Sequence, residues 1–151
     1  MILDSEPAGL ACHSEAKEQA RLFQERMKQE LDAGALIVIP EIVDYEVRRA
    51  LTLAGASAGL ARLDALDKSS VRYLPITTAA IRRAAGLWAE VRHRGKPTAG
   101  KKALDADVIL AAQALEFCFE ADDWRILTEN VAHLGRYVGD RARSRRSAAE
   151  E

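Results

Sequence analysis

Residues 35–53 read A-L-I-V-I-P-E-I-V-D-Y-E-V-R-R-A-L-T-L. Residues 35–39 are apolar without alternation, the pattern of a strand covered on both faces by other elements. Pro40 suits the first turn of a helix, where its missing N–H costs nothing, so a helix is predicted over 41–53, stopped near Gly55. Its apolar positions Ile42, Val43, Val47, Ala50 and Leu51 recur at helical spacing. A doubly covered strand running straight into a helix is the unit from which a parallel sheet between helices is built.

The same alternation extends in both directions. Residues 1–3 form a short apolar run, read as a buried strand ending at Asp4. Residues 14–31 carry Ala20, Phe23, Met27 and Leu31 at helical spacing. A short helix is expected over 57–67 and a strand over 71–76, which Pro75 ends early or confines to an edge. Thr77 or Thr78 caps a long helix with Ile81, Ala84, Trp88 and Val91 on one face, ending near Gly95. After a loop over 95–102, Asp105 starts a helix with Val108, Ala111, Ala112 and Leu115 inward. A last strand over 124–127 and a short helix over 129–137 follow. The expected fold is α/β, a mostly parallel sheet sandwiched between helices. Residues 139–151, mostly Arg, Ser, Ala and Glu, read as a polar, disordered tail.

Composition narrows the function. A chain of 151 residues suits one domain with its own core, and 48% apolar with 30% charged residues excludes a disordered protein. The net charge of -1 gives no whole-chain argument for nucleic acid, so any such argument must come from local patches. Cys12 and Cys118 make no disulfide framework and read as small buried apolar residues. His13, His93 and His133 stand in no zinc-type spacing. No stretch approaches a membrane span and the first residues lack a cleavable leader, so a cytoplasmic location is expected.

In parallel sheets, sites form beyond the carboxyl ends of the strands, where the winding reverses. Asp4 passes that filter, although it also reads as a helix cap or turn residue, since Asp-Ser-Glu-Pro is good turn chemistry. Glu46 interrupts the apolar stripe of its helix. A carboxylate there must be paired, metal-bound or at the wet edge, and the bland alternative is a salt bridge to Arg49 or Arg62. Asp107 opens the run D-V-I-L-A-A, where it is the odd residue on an otherwise buried helix. Asp105 suits the N-cap, and two helical residues roughly 200° apart cannot both face one site. Thr128, Glu129 and Asn130 follow the last strand, and they serve equally well as the cap and first turn of the next helix. Asp44, Asp64, Asp67, Asp122 and Asp123 read as solvated. Carboxylates gathered on one edge repel unless cations intervene, and oxygen-only ligands suit Mg²⁺ or Mn²⁺.

The residues resemble a known family. M-I-L-D-S at the start is similar to the hydrophobic-Asp-Thr/Ser opening of PIN domains. P-E-I-V-D-Y-E-V-R-R-A-L resembles their second motif, with Glu46 as its acid, and L-D-A-D-V-I-L-A-A-Q-A-L their third, with Asp107. L-T-E-N-V-A-H-L resembles the fourth, Thr128 and Asn130 matching Thr-x-Asp/Asn. The four occur in order from Met1 to about Tyr137, which gives a PIN-like domain over 1–138.

The resemblance implies a three-layer α/β/α sandwich and a Mg²⁺- or Mn²⁺-dependent endoribonuclease. It implies a VapC-like toxin of a type II toxin–antitoxin pair, with a cognate antitoxin and a homodimer as partners. By that carry-over Asp4, Glu46 and Asp107 are metal ligands, and Ser5 orients a carboxylate or the metal-bound water. Two positions depart from the pattern. Asn130 stands at the fourth acidic position, so its ligand is weaker, routed through water or replaced by Glu129. Gly100-Lys101 stands where this subgroup often has acidic residues.

Residues 92–102, R-H-R-G-K-P-T-A-G-K-K, hold five Lys or Arg and no acid. Arg92, Arg94, Lys96, Lys101 and Lys102 are candidate contacts to an RNA backbone, which binds such patches by counterion release. The bland alternative is an ordinary basic helix end, and the run leading straight into the Asp105–Asp107 helix favours the nucleic-acid reading. Arg141, Arg143, Arg145 and Arg146 could add to it or only solubilise. The competing reading is a PIN-like domain that binds RNA or a protein without cutting. A dehalogenase-type phosphatase, suggested by D-A-D at 105–107, needs its nucleophile at a strand end, whereas this D-A-D opens a helix.

Overall fold

The structure is a computed structural model and describes residues 1–94, 104–118 and 123–145. In chain order it holds β1 (Ile2–Leu3), α1 (Ser5–Ala11), α2 (Glu18–Asp32), β2 (Val38–Pro40), α3 (Glu41–Leu53), α4 (Ser57–Leu66) and β3 (Arg72–Leu74). There follow α5 (Thr78–His93), α6 (Leu104–Phe117), β4 (Ile126–Leu127), α7 (Val131–Val138), a 3₁₀ turn (Gly139–Arg141) and β5 (Ala142–Arg143).

The five strands form one sheet in the order β3-β2-β1-β4-β5, every pair parallel. Ile2 pairs with Val38 on one side and with Ile126 on the other. Successive strand residues point to opposite faces. Ile2, Leu3, Val38, Ile39, Ile126 and Leu127 are nonetheless all buried, so both faces are covered and the sandwich expected from the sequence is present. Val43, Leu63, Leu110 and Leu134 bring α3, α4, α6 and α7 into the same core.

The order of strands matters for the site. The chain winds outward from β1 to β2 and β3, then returns to lay β4 on the other side of β1. The reversal opens a crevice at the carboxyl ends of β1 and β4, the place where such sheets bind ligands. Asp4 follows β1 and Thr128 follows β4, so both stand at that crevice.

Several local expectations hold for physical reasons the structure makes visible. Thr77 caps α5, its hydroxyl accepting from the Ala80 N–H at 3.0 Å. Gly55 ends α3 in the left-handed region at φ 63°, where a side chain is strained. The strand before Pro75 stops at Leu74 and lies at the sheet edge. Cys12 and Cys118 are buried free thiols.

Of the bland readings of Asp4, helix cap or turn residue, the structure has the cap: Asp4 is the N-cap of α1, whose first turn tolerates Pro7. Other expectations are corrected. The folded chain runs past residue 138. Gly139, at φ 59°, turns the backbone out of α7, and Ala142–Arg143 adds β5 to the sheet beside β4. A strand of two residues has no periodicity to read, so composition alone gives a tail there. Residues 146–151 lie outside the described residues.

Asp44 is not solvated. It accepts two hydrogen bonds from Arg48, at 2.8 and 2.9 Å, and one from the Tyr73 hydroxyl. On α5 the inward residues are Ala80, Ala84 and Val91, while Ile81 and Trp88 are exposed. Ala50 is exposed as well, and Leu115 is half-buried.

One polar residue lies deep in the core. Gln113 of α6 is 1% exposed. Its amide donates to the Leu74 carbonyl at 2.9 Å and accepts from the Ile42 N–H at 3.4 Å. It thus satisfies a free amide at the start of α3 and a carbonyl at the end of β3, and ties the edge strand to that helix. Gln113→Leu keeps the volume and removes both partners. It should destabilise the protein by about 1–3 kcal/mol, measured by urea unfolding. An unchanged midpoint would show that water replaces the amide.

Candidate active site

Asp4 is the residue on which the site is built. Its backbone N–H donates to Leu127 O at 3.0 Å, continuing the β1–β4 ladder one residue beyond the strand. The residue is 8% exposed. Oδ1 accepts from the Ser5 N–H and Oδ2 from the Thr128 hydroxyl, each at 2.6 Å. Thr128 is fully buried, and its hydroxyl in turn accepts from the Asn130 N–H at 2.8 Å. Thr128 therefore both turns the chain toward α7 and holds Asp4 from below.

Glu46 projects from α3, the helix following β2. The Ser5 hydroxyl donates to its Oε2 at 2.5 Å, and Arg49 lies 3.4 Å from its Oε1. Glu46 thus sits at the wet edge of the apolar stripe and is paired as well, on its outer side with Arg49 and on its inner side with Ser5. Arg62 is directed elsewhere, donating to Cys12 O at 2.7 Å. Ser5 links two acids, one through its N–H and one through its hydroxyl.

Asp107 lies in α6, half-buried. Asn130 Nδ2 donates to its Oδ2 at 3.0 Å, and His133 Nδ1 stands 3.5 Å from the same oxygen. Burial pushes the Asp107 carboxyl up to about 6, and the negative charge of Asp4 and, further, of Glu46 adds to this, while His133 opposes it. The three acids named from the sequence therefore come from three elements and act on one another electrically. They do not close on one point: among the described residues no three acidic, imidazole or thiol groups form a ready-made ligand cage.

The remaining candidates divide. Glu129 is exposed, and its carboxylate accepts from Arg145 at 3.1 Å. Helix α6 begins at Leu104, which puts Asp105 in its first turn, not at the cap, and the Asp105 side chain lies outside the described residues. The D-A-D run is helical, as the case against a strand-end nucleophile required. Arg92 lies over the Trp88 ring, 4.1 Å from its centre, and Arg94 pairs with Glu90. Lys96, Lys101 and Lys102 lie outside the described residues.

Two neighbours of the site escape sequence reasoning. His133 stands in no zinc spacing, yet it falls three residues after Asn130, hence on the same face of α7. Arg145 has the composition of a tail around it, yet it reaches both Glu6 of α1, at 3.2 Å, and Glu129. Beside Ser5 and Glu46 a cleft of about 690 Å³ opens between α1, α3 and α4, with Leu10, Val47 and Leu51 among its apolar lining and Arg62 at its side.

Sheet order and crevice define an α/β protein, an all-parallel five-stranded sheet covered by helices on both faces. The chain is similar to a chain of VapBC2 from Rickettsia felis, solved as a crystal structure bound to a DNA fragment from its promoter. The TM-score is 0.68 and the identity 14%, with 95% of this chain and 96% of that chain covered. At that identity the likeness establishes the fold. No family model matches the sequence, and no curated protein matches it. Among the described residues no helix is long and apolar enough to cross a membrane.

The raised pKa of Asp107 has a consequence for stability. An unfolded aspartate titrates near 3.8 and the folded one near 6, so folding takes up a proton between these values. Stability from this group is full below about pH 4 and is lost as pH rises through 6. Asp107→Asn removes the penalty. In EDTA it should stabilise the protein at pH 7.5 by up to about 3 kcal/mol, and the gain should vanish below pH 4. Urea unfolding at both pH values checks this, and a variant no more stable than wild type at pH 7.5 would contradict the assigned electrostatics.

Proposed function

We propose that this protein is a metal-dependent endoribonuclease that hydrolyses RNA phosphodiester bonds, and the toxin of a toxin–antitoxin pair. One observation carries the reading: Asp4, Glu46 and Asp107, from three separate elements, stand close enough at the sheet crevice for two of them to oppose ionisation of the third. Excess negative charge at a ligand crevice is the signature of a place that expects a cation.

The donors fit a hard divalent ion in kind, being carboxylate oxygens without thiol or imidazole partners of zinc type. They fit it less well in arrangement, because each acid is held by Ser5, Thr128, Asn130 or Arg49. In this reading Asp4, Glu46 and Asp107 hold Mg²⁺ or Mn²⁺, which when bound polarises the attacking water and offsets charge at phosphorus. Ser5 and Thr128 keep Asp4 and Glu46 oriented, and Asn130 does so for Asp107. Arg92, Arg94, Lys96, Lys101 and Lys102 are assigned to the RNA backbone. The cleft beside Ser5 and Glu46 is assigned to an antitoxin segment, a partnership suggested by the VapBC2 likeness. An Arg of that segment would pair bidentately with a site carboxylate.

A second reading, a PIN-like domain that binds RNA or protein without cutting, draws on the carboxylates not closing into a cage. Cleavage separates the two. The purified protein should cut an RNA pool with Mg²⁺ or Mn²⁺ and stop in EDTA. Asp107→Asn should lower the rate by more than the roughly 100-fold that removal of an outer partner costs, although the variant is the more stable protein. Asp105→Asn should retain most activity. Absence of both cleavage and metal binding would favour the second reading.

The basic run is tested apart from the chemistry. Lys101→Ala with Lys102→Ala should weaken RNA binding and flatten its salt dependence, by up to ~1 in log–log slope for each phosphate no longer neutralised. An unchanged slope would remove that segment from the RNA surface.

A further inference from the structure

Two donors approach one oxygen of Asp107. Asn130 Nδ2 lies 3.0 Å from Oδ2, and His133 Nδ1 lies 3.5 Å from it. The His133 nitrogen is buried and has no hydrogen-bond partner at this separation. Buried polar atoms in native structures find partners, and Asp107 Oδ2 is the acceptor standing before this one. A shift of the ring by about half an ångström brings the pair to ordinary hydrogen-bond length. The spacing has a cause in the sequence. Asn130 stands at the N-cap position of α7 with its side chain free of the helix, and His133 falls one turn later, so both side chains rise from one face of the same helix start. Thr128 fixes that start by accepting from the Asn130 N–H.

We infer that Asn130 and His133 form a two-donor clamp that positions Asp107 by its Oδ2 and leaves Oδ1 for the site. Asn130 then acts by donating, not as a substitute ligand at the fourth acidic position, and His133 is a positioning residue with its proton on Nδ1. The Mn²⁺ part of this inference rests on Asp107 being a metal-site carboxylate, as proposed above. The clamp itself does not need the metal.

The first test therefore uses the metal-free full chain. With ¹⁵N-labelled histidine at pH 8, long-range ¹H–¹⁵N spectra should show His133 as the Nδ1–H tautomer, and Asp107→Ala should return it to Nε2–H. An Nε2–H ring in wild type, or no response to Asp107→Ala, overturns the clamp.

The second test measures Mn²⁺ affinity by calorimetry. His133→Asn keeps a donor near the place of Nδ1, whereas His133→Gln moves it outward. The Gln variant should fall about 10–100-fold in affinity, as variants without a supporting partner do, and the Asn variant should stay close to wild type. An equal fall in both, or none in either, overturns the positioning role. Asn130→Asp should weaken Mn²⁺ binding as Asn130→Ala does, and tighter binding would make residue 130 a ligand and overturn its part. A wild type that shows the Nδ1–H tautomer but binds no Mn²⁺ and cuts no RNA would sink the nuclease reading and leave the clamp standing.

Discussion

The backbone hydrogen bond from Asp4 to Leu127 O sets the geometry of everything around it. It extends the pairing with β4 one residue past the end of β1, and so fixes the first acid to the sheet itself. The next residue on each strand then has a defined place. Ser5 opens α1 with its N–H on Asp4 and its hydroxyl on Glu46, and Thr128 closes the loop after β4 with its hydroxyl on Asp4. Outer support comes from β5, whose Arg143 carbonyl accepts from the Thr128 N–H at 2.9 Å. A sheet edge thus holds the site from both sides, and the side chains need only short reaches.

The same contacts moderate the mutual repulsion of three acids in one crevice. Each carboxylate meets a dedicated neutral donor: a backbone amide and a hydroxyl for Asp4, a hydroxyl for Glu46, a carboxamide for Asp107. Neutral donors lower the cost of burial without cancelling charge. Burial, with the charges of Asp4 and Glu46 behind it, still pushes the Asp107 carboxyl up to about 6. Were Lys or Arg in place of these donors, the crevice would be neutral and its capacity for a cation spent.

Much of this is legible in the residues. The uninterrupted run at 35–39 followed by Pro40 tells of a covered strand and the helix after it, and the fold follows from repeating that unit. Glu46 and Asp107 stand out because each breaks an apolar helix face, a signal that survives without knowing the partner. What stays hidden lacks periodicity or depends on tertiary neighbours. Helix α1 has only seven residues and contains Pro7 and Gly9, so turn chemistry masks it. Strand β5 has two residues and is defined by its pairing with β4. Gln113 hides inside A-A-Q-A-L, where its role depends on the ends of α3 and β3. His133 carries no spacing with another histidine, and its meaning appears only when α7 is seen to start against Asp107.

The placement of β1 bears on how the protein is made. This strand is a central one at Ile2–Leu3, while its neighbour β4 comes only at Ile126–Leu127. Until that part has left the ribosome, β1 keeps one apolar edge unpaired, a surface prone to wrong pairing. Thr128, Asn130 and His133 arrive in the same late stretch, so the crevice is completed only after most of the sheet and its helices have been made. A chain interrupted before then carries Asp4 and Glu46 on a half-built sheet, with the position beside β1 still open.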